Sequence, residues 1–262
     1  MRYKKIILEN EKKFFLFDWD DNILVMPTKI LLDRKTKRGW IPVKVDSEEF
    51  RDVRKKIGAE FRLRPDSFNQ FKDSKQFEID LLYALENENF GPSFEKFINV
   101  LINGDDFAII TARGHSPNVI KDGIKVLITH YFTPQEIKSM IKNLGGESVG
   151  KYLSRQKYRT VSSQEFSDEF NLGVGSQSPE MGKKIALTDY IHNVVKATNK
   201  LVNDDKYTKI SVGFSDDDLG NIKAVEEIIR EELYKKFPDI NFVIYDTSDP
   251  KNIKKKRIFI EK

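Results

Sequence analysis

Four short runs rich in Phe, Ile and Val constrain the fold of this chain most: residues 14–17, 107–110, 209–214 and 242–245. Each ends at a polar or acidic residue, and longer amphipathic segments separate them. Buried strands alternating with helical periods predict an α/β fold, with a mainly parallel sheet covered by helices on both faces. In such a sheet the ligand site lies off the carboxyl ends of the strands. A length of 262 residues holds one large domain of this kind, or a core with a smaller insertion.

The helices are legible from their periods and caps. Ser47, followed by Glu48, Glu49 and Phe50, reads as an N-cap with acids in the first turn, and Gly58 closes that segment. Further helical periods run through QFEIDLLYALEN, SFEKFINVLIN, SPNVIKDGIKVL, TPQEIKSMIKNL, MGKKIALTDYIHNVV and NIKAVEEIIREELYKKF. Pro117, Pro134 and Pro179 each follow a Ser or Thr and suit a first helical turn. Between residues 28 and 45, TKILLDRKTKRGWIPVKV predicts two β-runs joined by a basic, glycine-containing turn.

Composition removes several function classes. The chain has no cysteine, which excludes disulfides, thiolate nucleophiles and cysteine-zinc sites together. No apolar segment approaches the roughly 20 residues that span a bilayer, and the apolar patch in MRYKKIILENEKK is far too short for a signal peptide. A soluble, cytoplasmic protein with no membrane partner is the expectation. The net charge of +4 is mildly basic. Its concentration in KNIKKKR, residues 251–257, reads first as a solvated terminus and second as a surface for phosphates of nucleic acid. No interleaved aromatic motif accompanies that run.

The chemistry concentrates at the predicted strand ends. In FFLFDWDDNIL a buried strand runs into Asp18, Asp20 and Asp21, like charges that need a cation or a chemical task to offset their repulsion. The second run ends in Thr111-Ala112-Arg113-Gly114, a helix opens near Gly182-Lys183-Lys184, and the third ends in Ser215-Asp216-Asp217-Asp218. Acid cluster, hydroxyl, lysine and acid cluster thus converge on one sheet edge. An EF-hand is excluded for the first cluster, because Ile23 and Lys29 stand where its glycine and glutamate belong. A Walker phosphate loop is excluded for the lysine, because Gln177 and Lys184 replace its first glycine and its hydroxyl residue. His115, His130 and His192 lack metal-ligand spacing. Of these, His115 follows a strand end, where it and Arg113 are candidates to reach substrate.

These stretches together resemble the four motifs of the haloacid dehalogenase (HAD) superfamily of phosphotransferases and phosphatases. FDWDDNIL is similar to its first motif, AIITARG to its second, PEMGKKIAL to its third and VGFSDDDLGNIKAV to its fourth. The resemblance implies a three-layer Rossmann-like core containing residues 1–24 and 104–262, a mixed α+β cap inserted over residues 25–103, and a further insertion over 130–177. It implies that Asp18 is the nucleophile of an aspartyl-phosphate and that Asp20 is the acid and base, its backbone carbonyl also ligating magnesium. Thr111 and Lys183 would hold the phosphoryl group, and Asp217, with Asp216 close behind, would complete the magnesium shell with Asp18. Asn22 and Asn221 would orient loop and ligands, and Asp21 is the variable position between motif residues. The chain departs from the family where Asp216 replaces the glycine of the fourth motif and Asn221 its last acid.

The expected function is a magnesium-dependent phosphatase acting on a phosphate monoester, whether a small phosphorylated metabolite, a nucleotide or a nucleic-acid end. The alternative is a catalytically lapsed fold of the same type used for binding or assembly, motivated by the altered fourth motif.

Overall fold

The computed structural model describes residues 11–173, 178–202 and 209–258; the N-terminal stretch through Asn10 and Gln177 lie outside them. β1 (Glu11–Phe17) is followed by β2 (Ile30–Thr36), β3 (Gly39–Val45), α1 (Ser47–Val53) and β4 (Phe61–Leu63). Helices α2 (Ser74–Glu86) and α3 (Phe94–Asn103) lead into β5 (Asp106–Thr111). Then come α4 (Pro117–Tyr131), α5 (Pro134–Asn143), α6 (Val149–Arg155), β6 (Lys157–Thr160) and α7 (Gln164–Glu169). The long α8 (Pro179–Val202), β7 (Lys209–Asp216), α9 (Leu219–Ile228), β8 (Ile240–Asp246) and β9 (Lys254–Arg257) follow.

Six strands form the main sheet in the order β6-β5-β1-β7-β8-β9, and all pairs are parallel except β8 with β9. The fold is therefore α/β with a mostly parallel sheet. The four apolar runs are β1, β5, β7 and β8. Two strands of the main sheet escaped the sequence pattern, as did the short β4 of the smaller sheet. β6 is only KYRT, and β9 is the basic run KKKR, which pairs with β8.

Alternation along β1 divides the core. Phe14 and Leu16 pack with α8 and α9 residues such as Leu187, Ile191 and Val225, whereas Phe15 and Phe17 join the α2, α3 and α4 side through Phe77, Phe97 and Ile124. That second cluster corrects the expected insertion over residues 25–103, because α2 and α3 are buried against the main sheet. The antiparallel sheet β3-β2-β4 has its own small cluster of Ile30, Leu32, Val45 and Phe61, so the separate unit ends near Phe71. Residues 130–177 are likewise not simply inserted, since they supply β6 at the sheet edge.

The local signals differ in one cap. Asp46, not Ser47, caps α1: its side chain accepts from the Glu49 amide at 2.9 Å while the Glu49 carboxylate accepts from the Asp46 amide at 3.1 Å.

Phe97 is fully buried, edge-on to Phe17 and Phe107 with both centroids 5.4 Å away. Phe97→Ala should cost about 3–5 kcal/mol in urea unfolding. A cost below about 1 kcal/mol would contradict the assignment of α3 to the main core.

Candidate functional site

The end of β1 is fixed by its neighbour. The Asp18 amide donates to the Ser215 carbonyl at 2.9 Å, and the Asn22 side-chain amide donates to the carbonyls of Asp18 at 3.2 Å and Ser215 at 3.1 Å. Ser215 and Thr247 hydroxyls donate in turn to the Asn22 side-chain oxygen, at 3.1 and 2.8 Å. Asn22 thus ties the loop after β1 to the ends of β7 and β8, the orienting task expected of it. Asp21 is not a free position. Its φ of 56° turns the chain back, in a left-handed conformation that Asp tolerates better than branched residues, and its carboxylate faces Arg51 at 3.5 Å.

The carboxylates of Asp18, Asp216 and Asp217 meet beside Lys183. One oxygen from each lies within 4.8 Å of the others. The Lys183 ammonium, 1% exposed, lies 3.0 Å from Asp18 Oδ2 and 2.6 Å from Asp216 Oδ2. Asp216 Oδ1 accepts from the Asn221 amide at 3.0 Å and the Asp218 backbone at 2.9 Å. Asp216 is therefore fully engaged by protein donors, whereas Asp18 Oδ1 is buried without a partner. Lys184 points elsewhere, to Glu227.

Lys183 and Arg51, the latter 2.9 Å from Asp217, supply two positive charges to three buried carboxylates. Burial first, and then the charge of Asp216, pushes the Asp217 carboxyl up to about 9. Burial also raises Asp18 to about 8, against the attraction of Lys183. Lys183 stays charged, its pKa held up by Asp18 and Asp216 despite burial. Two neighbouring carboxyls raised chiefly by burial, one with an orphaned oxygen, are an all-oxygen donor set suited to a hard divalent cation such as magnesium.

Asp20 does not join this cluster. Arg113, fully buried, grips its carboxylate bidentately, with Nε to Oδ2 at 2.9 Å and Nη2 to Oδ1 at 2.6 Å. Arg113 Nη2 also donates to the Thr28 hydroxyl at 2.9 Å, and Thr28 donates to Asp80 at 2.6 Å. Phe71 and Phe77 sandwich the guanidinium, 4.8 and 5.2 Å from their centroids. Arg113 and His115 were candidates to reach substrate or to support the groups that do. Instead Arg113 serves Asp20, and His115 is buried against Phe77, its Nε2 3.1 Å from the Asp73 carbonyl and its pKa lowered to about 4 by burial and by Arg113. Thr111 ends β5 beside β1, fully buried, its hydroxyl accepting from the Arg113 amide at 3.3 Å.

Comparison of the chain with protein-family models, curated proteins and solved structures gives no significant match. The site stands on its own geometry.

Residues outside the sequence expectations close it. Arg51 of α1 pairs with Asp217 at 2.9 Å, and Arg54 with Asp218 at 2.8 Å and Glu180 at 3.4 Å. Gly91 runs so close to the loop that an added Cβ would lie 2.5 Å from the Asn22 carbonyl. Asp80 and Arg51 are remote in sequence from every motif, and Thr28 lies just beyond the first one with nothing in its local pattern to mark it.

The raised carboxyls set a sign. A carboxyl whose folded pKa exceeds its ordinary value near 3.8 contributes most below that value, and its contribution is lost as pH rises toward 8–9. Metal-free protein should therefore melt lower at about pH 9 than at about pH 6, and magnesium should raise the melting temperature more at the higher pH because it replaces the two protons. Melting curves insensitive to magnesium at both pH values would rule out a cation site here.

Proposed function

We propose that this protein is a magnesium-dependent phosphatase of HAD type, hydrolysing a phosphate monoester through an aspartyl-phosphate on Asp18. The observation that carries the proposal is Lys183 bridging Asp18 and Asp216 beside Asp217 at the carboxyl ends of β1 and β7, with Asp18 Oδ1 unpartnered. These side chains are ones that the first, third and fourth motifs nominate, and they come from three distant parts of the chain.

Asp18 and Asp217 would hold the magnesium ion, which would supply positive charge to offset the repulsion between phosphate and carboxylate, and Asp216, already held by Lys183, Asn221 and the Asp218 amide, would stand behind them. Asp18 Oδ1 attacks phosphorus, the bond from phosphorus to the leaving oxygen breaks, and Asp20 gives that oxygen a proton. Water then attacks the phosphorus of the aspartyl-phosphate, Asp20 takes a proton from it, and Asp18 and inorganic phosphate are released. Lys183 and the Thr111 hydroxyl provide charge and a hydrogen bond to the phosphoryl oxygens. Because Arg113 occupies both oxygens of Asp20, one of those bonds opens when Asp20 moves a proton. The sheet β3-β2-β4 with α1 is in the place of a type 1 cap, and Arg51 and Arg54 carry it onto the acidic loops.

A second reading is supported by the same ion pairs. Arg51 on Asp217 and Arg113 on Asp20 are protein cations already bound to the working carboxylates, as in a lapsed enzyme kept for binding or assembly. Turnover decides. Purified protein should hydrolyse p-nitrophenyl phosphate with magnesium, and Asp18→Asn should lower the rate by about 10⁴-fold. No turnover on a broad panel of phosphate esters, with magnesium present and the fold intact, would remove the enzyme and leave the binding module.

A further inference from the structure

A second cleft, of about 240 Å³, opens on the sheet face opposite α8 and α9. Phe15, Phe17, Pro92, Tyr245 and Ile253 line it with Lys96 of α3. The core cluster on this face draws on β1, β5 and β6 and takes no residue from β7 or β8, so the sheet is left open there. Gly213 of β7 contributes no side chain, and a Cβ added to it would lie 3.3 Å from the Tyr245 ring.

Cations surround the cleft. Lys96 Nζ lies 4.4 Å from the Phe15 centroid, and Lys255 Nζ 5.6 Å from that of Tyr245. Antiparallel pairing of β9 with β8 sets Lys255 opposite Tyr245 and Arg257 opposite Val243, so both basic residues share this face. Lys13 and Lys209 belong to the same face by alternation along β1 and β7. Among the described residues, Lys96, Lys255 and Arg257 form no ion pair, and the acids nearby are Glu11, paired with Lys13, and the half-buried Asp105. Burial lowers the Lys96 pKa against the pull of Asp105, and Lys13 and Lys255 lower it further. Protection of an edge strand explains the lysines of β9, but not a lysine brought from α3 across an aromatic cleft.

We propose that this face binds single-stranded nucleic acid, with one base entering the cleft beside Tyr245 and the flanking phosphates pairing with Lys96, Lys255 and Arg257. A base offers the flat apolar face that the aromatic and aliphatic lining of the cleft accepts. The four residues of β9 extend roughly 13 Å, more than a single phosphate group spans, which favours a strand over a mononucleotide. The proposal does not depend on phosphatase chemistry.

Fluorescence anisotropy of a labelled oligothymidylate with the full chain tests it. Affinity should fall with salt, and Lys255→Glu should weaken binding and flatten the slope of log K against log salt by about 0.7. Tyr245→Ala should weaken binding by at least about 5-fold, and Asp18→Asn should leave it unchanged, separating this site from the catalytic one. If Tyr245→Ala fails to fold, Lys96→Ala replaces it and should flatten the slope as Lys255→Glu does. Equal affinity for duplex DNA, displacement by polyglutamate as effective as by unlabelled oligonucleotide, or indifference to both cleft substitutions would overturn the proposal.

Discussion

The rest of the site depends on the Lys183 ammonium held between Asp18 and Asp216. Burying an ion pair is expensive, and such pairs seldom add net stability, so this one is better understood through what it positions. Lys183 comes from the first turns of α8, whose apolar face packs Ala186, Leu187 and Ile191 on β1 and β7. Parallel pairing of those strands puts Asp18 and Asp216 at the same edge, and the bond from the Asp18 amide to Ser215 locks their stagger. Sheet order, helix packing and strand register are all needed to give one ammonium two carboxylates, while the third, Asp217, faces Arg51 of α1.

The small sheet is attached by a different kind of force. Its apolar cluster is its own, and α1 reaches the main sheet through Arg51 and Arg54, whose side chains are 29% and 34% exposed. Ion pairs of that exposure are typically worth about 0.2–1 kcal/mol each. Beneath them, the Arg113-Thr28-Asp80 chain is dry and packed between Phe71 and Phe77. Exposed ion pairs thus hold α1 to the acidic loops, while a buried polar network holds Asp20.

Much of this was legible in the sequence because it is periodic or local. The four apolar runs, the long helices and the basic hairpin of β2 and β3 announce themselves through alternation, caps and turn residues. Asp18, Asp216 and Asp217 stood out because acids directly after a buried strand contradict ordinary burial preference, and Asn22 and Lys183 were singled out by the resemblance to the HAD motifs. What stayed hidden depends on tertiary placement. QFEIDLLYALEN is an amphipathic helix wherever it packs, so its periodicity could not tell the main core from an insertion. The bidentate hold of Arg113 on Asp20 spans 93 residues, and the capture of Asp217 by Arg51 spans 166. β9 reads as solvated charge, since its strand character comes from β8 alone.

The unusual fourth stretch makes sense as a pair of changes. In the HAD-type reading, Asp216 takes the position of a glycine and Asn221 that of an acid. Asp216 Oδ1 lies 3.0 Å from the Asn221 amide nitrogen, so a carboxylate at 221 would face another carboxylate across a hydrogen-bond distance, in a buried site. Such a pair could not be ionised together. An amide at 221 instead donates to Asp216, leaving its other oxygen for Lys183. With an acid at 216 and an amide at 221, one carboxylate has one side-chain amide partner, and Asp217 faces Arg51.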